Sequence, residues 1–452
     1  MQTGDRTYPV AEEKAPPVRR TMNYQEARVY LGEMAKYGSV LGLETMKELL
    51  TRLGNPQDSL RFIYIGGTNG KGSVLAYMSE ILKEAGYRVG RYLSPTLFSR
   101  RENIQVNGKM ISREDLARLA TKVREASDRM QEEGLAHPTV FEMETAIGFL
   151  YFQEQACGVV VLETGFGGSE DATNVVKTTV LEILTSISMD HTDLFGSTVG
   201  QVAKSEAGII KPGARVVSAW QEEEAWKAIQ EVCQERKARL TSADCREAKN
   251  LAVYGWEEQS FSYGGFSDLK IRLAGVCQIE NAALAVEAVK ALREMGWEIS
   301  EEALRRGLYH TRWKGRFTVL SKDPVLIIDG AHNPGAAKSL RDSLERYFAG
   351  KRLFYIFGVF RDKDYREVIR LTADLAEHIT AVQTPGSARA LPAEELAGVL
   401  REYHKNVSCQ PDIRKAVEEN YRLADRKDDV IIAFGSLSFL GAVEKAAKEV
   451  RR

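Results

Sequence analysis

The densest chemistry in the chain lies in Ile65-Gly66-Gly67-Thr68-Asn69-Gly70-Lys71-Gly72-Ser73, which joins a short apolar run to a helical pattern. Glycines let a backbone turn tightly, so several N–H groups and the positive end of a helix can face one anion. Lys71 adds a mobile cation suited to outer phosphates. The strict phosphate-loop pattern is not met, because it asks for glycine at Ile65 and serine or threonine at Gly72. A strand before and a helix after nevertheless favour phosphate binding over a glycine-rich turn with a surface lysine.

Two carboxylates stand in comparable places. Glu163 closes the apolar run 158–162 and precedes a glycine-rich turn, and Asp329 closes the run 325–328. Open α/β sheets put ligand sites outside the carboxyl ends of their strands. The plainer readings are a loop cap for Glu163 and a simple turn for Asp329-Gly330. Taken alone, Asp190-His191-Thr192-Asp193 is a polar turn, Ser94 before Pro95 a turn element, and Asp362-Lys363-Asp364 a solvated charge run.

The elements that must position these groups follow from periodicity. Helical spacing begins near Tyr24, and a second helix covers 43–53 before the stop signal Gly54-Asn55-Pro56. Further helices are expected over 73–84, 113–131, 142–155, 281–295 and 301–309. Apolar strands fall at 61–65, 88–93, 158–162, 180–187 and 215–219. Strands spaced by helical lengths imply βαβ units and a mainly parallel sheet. After a mixed basic and aromatic stretch over 311–322, a second α/β series has strands at 325–328, 353–357, 378–383 and 430–434. The expected division is a disordered leader over 1–20, one domain over 21–317 and a smaller one over 318–452.

Composition sets the outer limits. The 452 residues exceed what one core usually serves. The 62 basic residues nearly balance 63 acidic ones, which favours a small-molecule enzyme over a nucleic-acid or membrane-surface binder. Five scattered cysteines (Cys157, Cys233, Cys245, Cys277 and Cys409) form no CxxC pair, so a reducing compartment fits better than a disulfide framework. No stretch is long and apolar enough to span a bilayer. The expectation is a soluble, cytoplasmic protein.

The motifs, taken in order, resemble the folylpolyglutamate synthase/dihydrofolate synthase family, relatives of the Mur ligases. Besides the Gly67–Ser73 loop they include Leu53-Gly54-Asn55-Pro56, Ser94-Pro95, Arg101-Glu102-Asn103-Ile104, Glu163-Thr164-Gly165-Phe166-Gly167-Gly168 and Asp171-Ala172-Thr173-Asn174. Ser188-Met189-Asp190-His191, Ala207-Gly208-Ile209-Ile210-Lys211, Gln278-Ile279-Glu280-Asn281, Trp313-Lys314-Gly315-Arg316, Asp329-Gly330-Ala331-His332-Asn333-Pro334, Asp362-Lys363-Asp364 and Gly435-Ser436-Leu437 follow. Single motifs are weak; the ordered set, running from about Tyr24 to the C-terminus, is specific.

The resemblance implies a P-loop-type Mur-ligase ATPase domain with a mainly parallel sheet, followed by a Rossmann-like α/β domain. It also implies a ligase. ATP phosphorylates a folate-type carboxylate, L-glutamate attacks the acyl phosphate, and phosphate leaves. Dihydropteroate and reduced folate are the implied acceptors and Mg²⁺ the implied metal, in an enzyme that is commonly monomeric. By the same resemblance Lys71 and the Gly67, Thr68, Asn69, Gly70, Gly72 and Ser73 amides hold the phosphates. Ser94 and Glu163 ligate one Mg²⁺, and His191 a second. Asp329 bonds the ribose, His332 sits at the phosphates, and Asn281 and Arg316 contact the nucleotide.

Four positions depart from the family pattern. Glu206 stands where a carbamylated lysine is usual, so either a native carboxylate serves the metal directly or the second metal site is weakened. Thr96 replaces histidine after Ser94-Pro95, Ser169 replaces arginine after Gly167-Gly168, and Lys314 replaces proline. Acceptor preference is therefore open between dihydropteroate, a glutamyl folate, or both. The rival readings are another Mur-type amino-acid ligase, against which the early position of the phosphate loop counts, and a nucleotide-binding regulatory module without ligase activity.

Overall fold

The computed structural model describes residues 20–38, 40–190 and 195–450. Its first sheet has eight strands: β1 (Phe62–Gly66), β2 (Val89–Tyr92), β3 (Ile104–Val106), β4 (Lys109–Met110), β5 (Val159–Glu163), β6 (Thr179–Leu184), β7 (Arg215–Ala219) and β8 (Arg239–Ala243). They lie in the order β4-β3-β2-β5-β1-β6-β7-β8. Every residue of β1 and β5 is buried, as expected of central parallel strands covered on both faces. Side chains alternate between the faces: Phe62, Tyr64 and Leu162 enter one core cluster, Ile63, Ile65 and Val161 the other. Full burial of each such side chain stabilises by about 1.5–3 kcal/mol relative to exposure.

The parallel run ends at β2. Asn107 (φ 48°) and Gly108 (φ 77°) turn the chain between β3 and β4, the left-handed pair that a two-residue hairpin needs. A separate antiparallel sheet follows from β9 (Lys249–Tyr254), β10 (Glu258–Tyr263) and β11 (Phe266–Ile271).

The C-terminal sheet holds β12 (Thr318–Lys322), β13 (Val325–Ile328), β14 (Leu353–Phe357), β15 (Ala376–Ala381), β16 (Val407–Cys409) and β17 (Val430–Phe434). Its order is β12-β13-β17-β14-β15-β16, antiparallel only at β12. Its core also divides by face, with Ile327, Tyr355 and Ile432 on one side and Leu326, Phe354 and Ile431 on the other.

Helix ends follow local chemistry. Thr139 forms a capping box with Glu142, so the expected helix at 142 begins earlier and spans Val140–Glu154. The helix expected from Ser73 spans Lys71–Glu84, with Gly70 as its N-cap. Among the described residues no helix is long and apolar enough to cross a membrane.

Candidate active site

The carboxyl ends of β1, β5 and β13 meet at one cavity of about 260 Å³. Thr68, Asn69, Gly70, Lys71, Gly72, Ser73, Ser94, Glu163, Glu206, Asn281, Arg316, Asp329 and His332 all line it. Thus residues far apart in sequence and drawn from both large sheets converge. His191 lies outside the described residues, and Gly67 stands one step behind the wall.

The loop differs in one respect from a simple cradle of amides. The Gly67 N–H donates to Glu206 Oε2 at 2.8 Å, and the Thr68 and Asn69 N–H groups donate to the Ser186 carbonyl at 3.0 and 2.9 Å. The amides left to face an anion are therefore those of the helix N-terminus at Gly70 to Ser73, where first-turn N–H groups have no intrahelical acceptor. Gly70 has φ +98°, and a Cβ there would stand 2.4 Å from Asn281 Oδ1. Only glycine admits both that backbone and that neighbour. Lys71 Nζ folds back to the Gly67 carbonyl, and the buried Ser73 hydroxyl accepts from Gln278 Nε2 at 3.2 Å. Gln278 also accepts from Asn281, so the helix Cys277–Glu294 braces the loop.

Glu163 is 6% exposed at the end of β5. Burial pushes its carboxyl up to about 7, against the pull of Lys71, Arg316 and the Ser94 backbone. A carboxylate so poorly solvated is suited to meeting a cation. Ser94 lines the same wall, with its backbone hydrogen-bonded to Glu163. Glu206, also 6% exposed, presents the second carboxylate on this side. Among the described residues no three His, Cys, Asp or Glu side chains form a ready-made metal cluster. The oxygen donors nonetheless fit magnesium, which is usually held by one or two carboxylates, water and substrate phosphates.

From the other half, Asp329 accepts the Phe317 N–H at 2.7 Å and the Ala331 N–H at 2.8 Å. Burial raises its carboxyl above the usual range, and Arg316 opposes that shift. The Arg316 guanidinium lies over Gly330, where a Cβ would stand 2.2 Å from Nη1. His332 Nδ1 lies 2.8 Å from the Gly330 carbonyl; that oxygen only accepts, so Nδ1 carries the proton. Its Nε2 is 3.5 Å from Asp190 Oδ2.

Several residues that the sequence offered only as members of motifs prove to tie the two halves together. Asn333, 2% exposed, caps the helix Pro334–Phe348 through the Ala336 N–H at 2.9 Å. Its Nδ2 also donates to Asn69 Oδ1 at 3.1 Å and Asp190 Oδ2 at 3.0 Å. Asn69 Nδ2 returns a bond to Asn333 Oδ1 at 3.3 Å and reaches Ser188 Oγ at 3.0 Å. The apparent charge run 362–364 divides three ways. Lys363 is nearly buried and donates to Asp190 Oδ1 at 2.7 Å, Asp362 pairs with Arg389, and Asp364 caps the helix Tyr365–Thr372.

Two larger matches cover the chain. Residues 65–289 match the Mur ligase middle domain, and residues 315–437 match the Mur ligase glutamate ligase domain. Dihydrofolate synthase/folylpolyglutamate synthase of Bacillus subtilis is 34% identical over 434 residues, covering 94% of this chain and 99% of that protein. The Mycobacterium tuberculosis folylpolyglutamate synthase complexed with ADP and AMPPCP superposes with a TM-score of 0.86 at 27% identity, over 95% of this chain and 99% of that one. The Escherichia coli FolC complex with DHPP and ADP gives 0.81 at 29% identity, over 94% and 98%.

Proposed function

Because the chain belongs to the dihydrofolate synthase/folylpolyglutamate synthase family, we propose that its cavity joins L-glutamate to the carboxylate of dihydropteroate or of a reduced folate, at the expense of ATP. The observation that carries this reading is the convergence, in one cavity, of the Gly70–Ser73 helix end, Lys71 and Glu163 with Arg316, Asp329 and His332. Phosphoryl transfer to a carboxylate needs alignment and charge neutralisation more than covalent help.

In this reading Lys71 and the first-turn amides hold the β- and γ-phosphates, and Asp329 and Asn281 orient the nucleoside. Arg316 bridges the halves and offsets negative charge beside Glu163. Ser94, Glu163 and Glu206 are the groups on this chain that would hold magnesium, together with His191. Magnesium would neutralise the phosphates and stabilise the charge that develops on transfer. His332, proton on Nδ1, holds its Nε2 edge toward Asp190 at the phosphate end. Closure of the two halves excludes water from the acyl phosphate until the glutamate amine attacks. The five free cysteines support a cytoplasmic setting. The chain divides at 317/318 in the same proposal, where β12 begins the second sheet.

The test is acceptor-dependent ADP release with Mg-ATP and L-glutamate, comparing dihydropteroate, tetrahydrofolate and no acceptor. Release with dihydropteroate alone makes the protein a dihydrofolate synthase; release with tetrahydrofolate as well makes it bifunctional. Folded protein that binds ATP but releases no ADP with either acceptor refutes the proposal.

A further inference from the structure

A second cavity of about 840 Å³ opens from the same Glu163, Ser94 and Arg316 wall and runs toward the last helix, Leu437–Val450. Free L-glutamate needs only a small part of that space; the volume suits an extended ligand. The lining is unbalanced in charge. Arg91, Arg312, Lys314, Arg316, Lys445 and Lys448 face it, against three carboxylates. Of these, Glu444 is held by Lys314 at 3.1 Å and Lys448 at 2.6 Å, and Glu102 accepts the Leu97 and Phe98 N–H groups. The third, Glu163, belongs to the phosphate end.

Arg91 is the exceptional member. It sits within β2, an otherwise apolar and glycine strand. Its Nη2 donates to the Gln105 side chain, while its buried Nε has no hydrogen-bond partner. Among the described residues no carboxylate pairs with it; Glu80 acts only at a distance, and burial lowers the guanidinium to about 10. It is still cationic at neutral pH. A half-buried cation without a counter-ion is only partly solvated, and a ligand carboxylate would offset that cost. The guanidinium also stacks 5.3 Å from the Trp313 ring centroid. Trp313 in turn lies so close to Gly72 that a Cβ there would stand 2.8 Å from the ring. Arg91 thus faces the cavity on one side and is one side chain away from the phosphate loop on the other.

We propose that Arg91 is a specificity-determining residue: among the acceptors of the ligase reading it favours those that already carry a glutamyl tail, by binding an unreacted carboxylate of that tail. The assignment rests on the ligase reading above. The reacting carboxylate lies at the Glu163 end, and the unreacted carboxylates of earlier glutamates trail through the cationic cavity. Dihydropteroate has no glutamyl carboxylate to place there.

The experiment compares wild type, Arg91→Met and Arg91→Lys, using ADP release with dihydropteroate, monoglutamyl tetrahydrofolate and triglutamyl tetrahydrofolate. Loss of one charge-assisted contact should raise KM for the triglutamyl acceptor by about tenfold more than KM for dihydropteroate in Arg91→Met, with partial rescue in Arg91→Lys. Equal effects on all three acceptors, or none, overturn the proposal. So does a rise confined to the KM for L-glutamate, which would assign the cation to the incoming amino acid. Calorimetric titration of triglutamate into wild type and Arg91→Met, each saturated with a non-hydrolysable ATP analogue, reads the site without turnover. Binding lost only in the variant supports the assignment even if the wild type turns over no folate, and equal or absent binding overturns it.

Discussion

Replacing Asn333 tests how firmly the phosphate loop is tied to the second sheet. In Asn333→Ala the Pro334–Phe348 helix loses its N-cap, worth about 1 kcal/mol. The reciprocal pair with Asn69 goes as well, at about 1 kcal/mol net, and so does the bond to the Asp190 carboxylate, at about 2 kcal/mol. The sum is about 4 kcal/mol. Asn333→Ser retains a capping oxygen but is too short for Asn69 or Asp190, so it should lose about 3 kcal/mol. Denaturant unfolding of the nucleotide-free protein reads these differences. ADP release at varied ATP reads the second consequence. Both variants cut the tie between Asn69, next to Gly70, and the second sheet, so both should raise KM for ATP to a similar extent. A cap-only role would affect Asn333→Ala alone. Wild-type stability and wild-type KM for ATP in Asn333→Ser would refute the reasoning.

Gly70→Ala forces a side chain into a left-handed backbone against Asn281, so ADP affinity should fall at least about tenfold while circular dichroism stays native; calorimetric Kd values at the wild-type level would contradict this. Glu206→Gln keeps an acceptor for the Gly67 N–H but removes the charge, so half-maximal ADP release should need more Mg²⁺; an unchanged Mg²⁺ titration ends the metal role for Glu206. Glu182 is buried on β6, and burial pushes its carboxyl up to about 7, with Thr179 and Lys211 opposing. Its folded value exceeds its unfolded one, so its stabilisation is present below about pH 4.5 and lost as pH rises through about 7. Stability of wild type relative to Glu182→Gln, followed by denaturant unfolding, should therefore fall by about 3 kcal/mol between those limits; a flat difference rules out this origin.

Much of the scaffold was legible because parallel strands buried on both faces appear as unbroken apolar runs. The expected strands 325–328, 353–357 and 430–434 coincide with β13, β14 and β17. The antiparallel sheet β9–β11 was not anticipated, and its chemistry explains why. In β9, Leu251 and Tyr254 are half exposed among Lys249 and Asn250, leaving no clear apolar alternation. The edge strands β8, β12 and β16 were missed for similar reasons: each is only partly covered, and none carries a continuous apolar run. At the site, the glycine loop and the carboxylates at strand ends could be read from type and position. The role of Lys363 could not, because its partner Asp190 lies 173 positions away and only folding shows that the middle of a charge run is buried. Arg91 did leave a trace, a lone charge inside a four-residue strand, but its missing counter-ion becomes visible only when the neighbouring strand supplies Gln105 and nothing acidic.

The segment joining the two sheets is itself part of the cavity proposed to hold the nucleotide. Trp313 presses on Gly72, Arg316 covers Gly330, and the Phe317 N–H is held by Asp329. The halves are therefore not two bodies on a slack tether. Rotation of one against the other has to slide the indole across the start of the phosphate-binding helix or pull the guanidinium from its seat over Gly330. In the proposed ligase, movement of the halves is thereby coupled to the walls of the cavity assigned to the nucleotide. A cross-link that fixes residues 313–317 should accordingly slow turnover as a whole, because Arg316 belongs both to the joint and to the cavity.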